Sequence, residues 1–216
     1  MSGSFEAAGF VLAGGRSSRM GSEKALIELA GEPLVAHAVR ILRQAGLTVA
    51  IAGARSPLEG FAPVVPDSEP DRGPLGGICS ALDFTAVTHA VFLSVDMPLL
   101  PSCLVALLLE EARVGRAAIT VPLTDGYAQT FPVVVERAAL PWLRTALEAG
   151  RGGCYLAFQA AAAGMRQTLK VLNVEQAVKD GRLTAAGALP VPDWFLNVNE
   201  PADVARADEC LAGRRT

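Results

Sequence analysis

The chain has 216 residues, 51% of them hydrophobic and 19% charged, with a formal net charge of −3. That much apolar material excludes a disordered chain, and the length fits a single domain over residues 1–216. A net negative charge without a basic face excludes an ordinary nucleic-acid binder, so a local cluster of cations points to a small anionic ligand instead.

The N-terminus "MSGSFEAAGF" has no basic region followed by a long apolar run, so no secretory signal is expected. Residues 9–14, "GFVLAG", read as a short buried parallel strand. Residues 33–46 carry apolar side chains at helical spacing between Pro33 and Gly46, which predicts a helix, and 47–53 predict the next strand. A short strand at 62–67 and a helix at 76–84, entered through a glycine-rich turn, precede the clearest strand, 89–96. A helix at 101–115, strands at 117–123 and 130–136, helices near 138–149 and 153–164, a strand at 166–174 and a final helix at 199–213 complete the pattern. Residues 182–193 read as a surface loop. Alternating strands and helices predict an α/β fold with a mainly parallel sheet flanked by helices and right-handed crossovers. The apolar windows "HAVFLSVDMPLL" and "CLVALLLEEA" are short and interrupted by acids, so no membrane span and a cytoplasmic protein are expected.

Cys79, Cys103, Cys154 and Cys210 are far apart and form no CxxC pair, which predicts four reduced thiols. His37 and His89 are isolated and read as structural rather than as metal ligands.

In an open α/β sheet, ligands bind beyond the carboxyl ends of the strands. Four motifs fall at such ends. In "VLAGGRSSRMGSEK" (11–24), Gly14 and Gly15 allow backbone N–H groups to cradle an anion, and Arg16, Arg19 and Lys24 follow within nine positions. The spacing is neither the G-x-x-x-x-G-K-S/T phosphate loop nor the G-x-G-x-x-G dinucleotide turn. In "VPDSEPDRGPLGGI" (65–78), Asp67 ends a strand ahead of a glycine-rich turn and a helix N-terminus; it reads either as a base or ribose acceptor or as an ordinary acidic turn. In "VFLSVDMP" (91–98), a buried strand delivers Asp96 to its tip. That placement suits a hard cation such as Mg²⁺ shared with substrate phosphates, the other reading being a helix cap. In "FLNVNEPADV" (195–204), Asn197 and Asn199 share one face of an extended segment, either for polar recognition or with Asn199 capping the last helix.

Together these pieces resemble the nucleotidyltransferases of Rossmann-like, glycosyltransferase-A-like fold, and most closely the molybdenum cofactor guanylyltransferases of the MobA type. "LAGGRSSRMGSEK" is similar to that family's LAGG-x-S-x-RMG-x-DK signature, with Glu23 in place of its aspartate; "GPLGG" resembles its GPLAG turn, "SVDMP" its D-x-P, and "NVNEPADV" its N-x-N-T-P-E-D-L. The resemblance implies the transfer of GMP from GTP to molybdopterin with release of diphosphate. It further implies that the backbone of Leu12, Ala13 and Gly14 holds the nucleotide. Arg19 and Lys24 would neutralise the triphosphate, Asp67 contact the guanosine and Asp96 bind Mg²⁺. Asn197 and Asn199 would lie near the pterin or the reaction centre. Implied protein partners are transient ones, for cofactor insertion or molybdoenzyme loading. Two stretches depart from the family pattern. "AIAGARS" (50–56) lacks the asparagine that usually follows the second strand, and "YAQTFPVVV" (127–135) has Phe131 before Pro132, with Gln129 two earlier, where a His or Gln is usual. A cytidylyltransferase for the same pterin, another small-molecule nucleotidyltransferase, and a non-catalytic nucleotide-binding module remain as alternatives; the last would be free to lose Lys24 or Asp96, and both are present.

Overall fold

The computed structural model describes residues 5–14, 24–53, 58–69, 71–150, 153–184 and 189–213. In chain order the elements are β1 (Ala7–Leu12), β2 (Glu28–Leu29), β3 (Glu32–Pro33), α1 (Leu34–Gln44), β4 (Thr48–Ala52), β5 (Val64–Val65), α2 (Gly73–Phe84), β6 (His89–Ser94), α3 (Ser102–Gly115), β7 (Ile119–Thr124), β8 (Tyr127–Ala128), β9 (Val133–Glu136), α4 (Leu140–Ala149), α5 (Cys154–Gly164), β10 (Lys170–Asn173), α6 (Val174–Lys179), α7 (Val191–Trp194) and α8 (Pro201–Gly213). Short 3₁₀ turns occupy Lys24–Leu26, Leu58–Gly60 and Arg137–Ala139.

The main sheet runs in the order β10-β7-β9-β6-β1-β4-β5. β4 and β6 flank β1 in parallel, β5 extends β4 and β10 extends β7, also in parallel. The exceptions to the mainly parallel expectation are β9, antiparallel to both β6 and β7, and β8, which folds back on β7. The β7–β8 reversal is made by Asp125 and Gly126, both at positive φ (50° and 78°), as a two-residue hairpin of the primed type demands.

Alternation along the central strands splits the core. Val11, Val91 and Leu93 face α1, α3, α6 and α8; Phe10, Leu12 and Phe92 face α2, α4 and α5. α1 buries Leu34, Val35, Ala38, Val39, Ile41 and Leu42, one apolar stripe of the helical period. It stops because Gly46 takes φ +85° and the N–H groups of Gly46 and Leu47 return to the carbonyls of Arg43 and Leu42, a paired C-terminal closure that aims the chain into β4.

Two expectations change. "GPLGG" is not a turn before α2 but its first turn, with Pro74 at a position where a missing N–H costs nothing. The supposed surface loop at 182–193 contains the start of α7, which carries Trp194 fully into the core; the indole N–H donates to the carbonyl of Leu189 at 3.1 Å.

The histidines are structural, as expected. His37 is buried in α1 and its Nε2 lies 2.9 Å from the carbonyl oxygen of Leu29. His89 opens β6 and stacks on Phe5 with ring centroids 4.2 Å apart; burial pushes its pKa down to about 4. All four cysteines are free, and burial raises the Cys79 and Cys154 thiols to about 11, which makes them poor nucleophiles.

Candidate functional site

The carboxyl ends of β1, β4, β5 and β6 meet along one edge, tied together by backbone. Val95 N–H donates to the carbonyl of Leu12 (3.1 Å), Ala13 N–H to Ala52 (3.1 Å) and Gly53 N–H to Val65 (3.3 Å). Leu12 is buried, Ala13 half-buried and Gly14 exposed, so the chain emerges from the core at the point where a ligand could meet its backbone. Glycine is required there. A Cβ on Gly14 would stand 2.7 Å from the carbonyl oxygen of Gly53, closer than real contacts allow. Gly53 itself takes φ +76°, and a Cβ on it would lie 3.3 Å from both carboxylate oxygens of Asp67. A Cβ on Gly77, in the first turns of α2, would be 3.6 Å from Asp67 Oδ1 and 3.3 Å from Leu12 Cδ2. The result is a notch walled by glycine backbone with the Asp67 carboxylate at its side.

Beside the notch lies a charged centre. Lys24 Nζ donates to Asp96 Oδ2 and to Asn199 Oδ1, each at 2.6 Å. The Lys24 and Asp96 side chains are only 20% and 16% exposed, so their attraction is screened less than at an open surface. Three separate stretches build this centre. Lys24 opens a 3₁₀ turn whose next residue, Ala25, is buried, and which leads to Ile27, whose carbonyl accepts from the N–H of Leu34 at the start of α1. Asp96 stands two residues past β6, and Ser94 Oγ donates to its Oδ1 at 2.5 Å. Asn199 lies on an extended segment docked by Val198 N–H to the carbonyl of Asp96 at 2.9 Å. Val198 is fully buried while Asn197 and Asn199 are exposed, so the predicted alternation holds. Asp203 in α8 accepts the N–H groups of Asn199 (2.8 Å) and Glu200 (2.9 Å), fixing the entry into the last helix.

Two oxygens of different residues thus converge on one positive charge. Both are hard donors of the type that holds a divalent cation, and the ammonium shows that the spot favours a cation. Among the described residues no group of three His, Cys, Asp or Glu side chains could hold a metal by itself. A cation at Asp96 would therefore complete its shell with substrate and water oxygens, which is how Mg²⁺ is usually held.

Of the residues expected from sequence, the structure brings Leu12, Ala13, Gly14 and Asp67 to the notch and Lys24, Asp96 and Asn199 to the charged centre. Asn197 is not drawn in: its amide donates to the carbonyl of Phe195 at 3.2 Å. Arg16 and Arg19 lie outside the described residues. Asp96 does not cap α3, whose N-cap is Pro101. Phe131 follows from register: Phe92 pairs with Val133, which places Phe131 at the same sheet edge as Ser94. Two residues escaped the sequence reading. Ser94 gives no signal in a strand, whereas Asp203 could have been found as the acid three positions after a helix N-cap. An open hollow of about 490 Å³ on the outer side of α1 lies elsewhere, and its cations are engaged: Arg40 pairs with Glu32 (3.0 Å) and Arg43 donates to the carbonyl of Phe61 (3.0 Å).

Residues 9–165 match the model of the MobA-like NTP transferase domain. A molybdenum cofactor guanylyltransferase of Rhizobium johnstonii is 34% identical over 217 residues, covering 96% of this chain and 94% of the relative. One from Rhizobium rhizogenes is 35% identical over 215 residues, covering 94% and 91%. Among solved structures, molybdopterin-guanine dinucleotide biosynthesis protein A of Archaeoglobus fulgidus superposes with a TM-score of 0.74 at 20% identity, covering 95% of this chain and 98% of that one. The 2-C-methyl-D-erythritol 4-phosphate cytidylyltransferase of Thermus thermophilus superposes with a TM-score of 0.64 at 16% identity, covering 94% and 98%. At these identities the two structures speak for the fold alone. No helix among the described residues is long and apolar enough to cross a membrane.

Proposed function

The chain belongs to the MobA-like NTP transferase family and is a nucleotidyltransferase, and from that premise we propose that it transfers GMP from GTP to molybdopterin, forming the guanine dinucleotide form of the cofactor and releasing diphosphate. The observation that carries this reading is the convergence of Lys24, Asp96 and Asn199 beside the glycine-walled notch. Near-full-length relatives named for this activity support the choice of substrates.

In this reading the nucleotide lies along the backbone of Leu12, Ala13 and Gly14, where no side chain stands in the way, and Asp67 accepts hydrogen bonds from the guanosine. Lys24 supplies the positive charge of the centre. Shared between Asp96 and Asn199, it is placed to pass to the triphosphate and stabilise the charge that grows as diphosphate leaves. Arg19 adds to that charge. Asp96 would hold a divalent cation, read here as Mg²⁺, whose chemistry would be to neutralise phosphate oxygens. Asn199 keeps Lys24 and Asp96 in register, and Asn197, exposed outside the centre with one amide hydrogen on the carbonyl of Phe195, has its second amide hydrogen and its oxygen to offer to the acceptor. The terminal phosphate of molybdopterin is the nucleophile, so no protein nucleophile is needed and catalysis rests on positioning and charge. The reaction is read as cytoplasmic, within one nucleotidyltransferase domain spanning 1–216.

A second reading is transfer of CMP to the same pterin: "AIAGARS" lacks the asparagine usual after the family's second strand, so that contact does not fix the base, although "GPLGG" argues for GTP. Incubating the protein with molybdopterin, Mg²⁺ and each of GTP, CTP, ATP and UTP, with products weighed by mass spectrometry, decides between them. A guanine dinucleotide from GTP alone supports the proposal. A cytosine dinucleotide replaces the base, and no product from any nucleotide removes molybdopterin as the acceptor.

A further inference from the structure

The backbone around Asp96 is clamped on both sides. Val95 N–H is bonded to Leu12 in β1, Asp96 O accepts from Val198, and Met97 N–H returns to the carbonyl of Ser94 at 3.3 Å. What remains free is the rotation of the carboxylate, and that rotation is fixed by the side chain that ends β6. Ser94 Oγ donates to Oδ1 at 2.5 Å, which turns Oδ2 alone toward the charged centre. Ser94 is half-buried, so water competes weakly for this bond.

We infer that Ser94 is a positioning residue that makes Asp96 a one-oxygen ligand and so sets which divalent cation the centre accepts; this rests on the reading of Asp96 as the cation's carboxylate. The chemistry of the two common hard cations differs at this point. Ca²⁺ takes six to eight oxygens in a loose shell and readily grips a carboxylate by both oxygens. Mg²⁺, and Mn²⁺ in its place, prefers a compact octahedron of single oxygens with waters and phosphates. A hydroxyl committed to Oδ1 takes one of its lone pairs and fixes the carboxylate's rotation, which disfavours the two-oxygen grip and favours the one-oxygen mode. It also holds the ligand oxygen still before the cation arrives, the role that outer hydrogen-bond partners of metal ligands commonly play.

The test titrates Mn²⁺ into the full-length protein saturated with a non-reacting GTP analogue, read by water-proton relaxation, followed by back-titration with Ca²⁺. The proteins are wild type, Ser94→Ala, Ser94→Thr and Asp96→Asn, with thermal midpoints recorded alongside. The expected result is that Ser94→Ala weakens Mn²⁺ about 10-fold, that Ca²⁺ displaces Mn²⁺ at proportionally lower concentration, and that Ser94→Thr restores wild-type behaviour. Should Ser94→Ala fail to fold, Ser94→Cys, whose thiol is a poor donor, serves the same comparison. Wild-type Mn²⁺ affinity and Ca²⁺ competition in Ser94→Ala, with Mn²⁺ affinity lost in Asp96→Asn, would overturn the role of Ser94 and leave Asp96 standing. Unchanged Mn²⁺ affinity in Asp96→Asn would overturn the reading of Asp96 and this inference with it.

Discussion

Lys24 and Asp96 stand 72 positions apart in the chain, and their side chains meet at 2.6 Å. The contact joins the loop after β1 to the tip of β6, and Asn199 ties it to the start of α8. Three chain segments therefore depend on one small polar centre, and each can be disturbed separately.

The notch is the first place to disturb. Gly14→Ala puts a methyl 2.7 Å from the carbonyl of Gly53, and because both partners are backbone the clash is relieved only by parting the tails of β1 and β4. Overpacking of this type costs about 1–3 kcal/mol. Urea denaturation should show that loss, and calorimetry should show weaker GTP binding if the nucleotide lies along this backbone as proposed.

Asp203 offers a cleaner separation of stability from activity. Asp203→Ala strips the acceptor from the N–H groups of Asn199 and Glu200 and should cost about 1 kcal/mol, the usual value of a helix cap. Turnover should fall further than that stability loss accounts for, because Asn199 is released from Lys24. Asp203→Asn keeps an acceptor oxygen and should recover most of both, as measured by urea midpoint and steady-state rate.

A pH effect follows from His89. Its pKa falls from the ordinary imidazole value of 6.5 to about 4 because burial disfavours the charged ring. The unfolded chain therefore binds this proton first as pH drops, so the stability that depends on neutral His89 is complete above pH 6.5 and is lost progressively as pH falls toward 4. Urea midpoints at pH 7 and pH 5 should differ more for the wild type than for His89→Phe, which keeps a ring against Phe5 and has no proton to take up. Equal differences would remove His89 from the account.

Much of the centre was legible in the sequence because its residues sit in motifs whose chemistry is local. A buried apolar strand that ends in a lone acid, as at Asp96, and a cation-rich glycine loop, as at Lys24, both declare themselves. Asn197 shows the limit of such reading. Alternation put both asparagines on one face, but the bond from Val198 N–H to Asp96 sets the depth of the segment, and it is the amide of Asn199 that reaches Lys24. Ser94 was invisible because a hydroxyl at a strand end has many ordinary partners, and only the turn at Val95 aims it at Asp96. In the fold, the Asp125-Gly126 pair carried a hairpin signal that the strand pattern obscured, and β9 reads by periodicity like any buried strand, since direction within a sheet leaves no mark on apolar spacing. Residues 182–193 read as a surface loop, yet Pro192 fits the first turn of α7, and burial of Trp194 holds that short helix in place.

The most direct test of the account is the rate of GMP transfer to molybdopterin in Lys24→Met, Asp96→Asn and the double variant, with folding confirmed by circular dichroism. Each single change removes one side of the charged pair and should lower turnover by about 10²–10³-fold. Because the two residues act as a unit, the double variant should be little worse than the poorer single. Folded variants that keep the wild-type rate, or losses that simply multiply in the double variant, would contradict the claim that Lys24 and Asp96 form one catalytic centre.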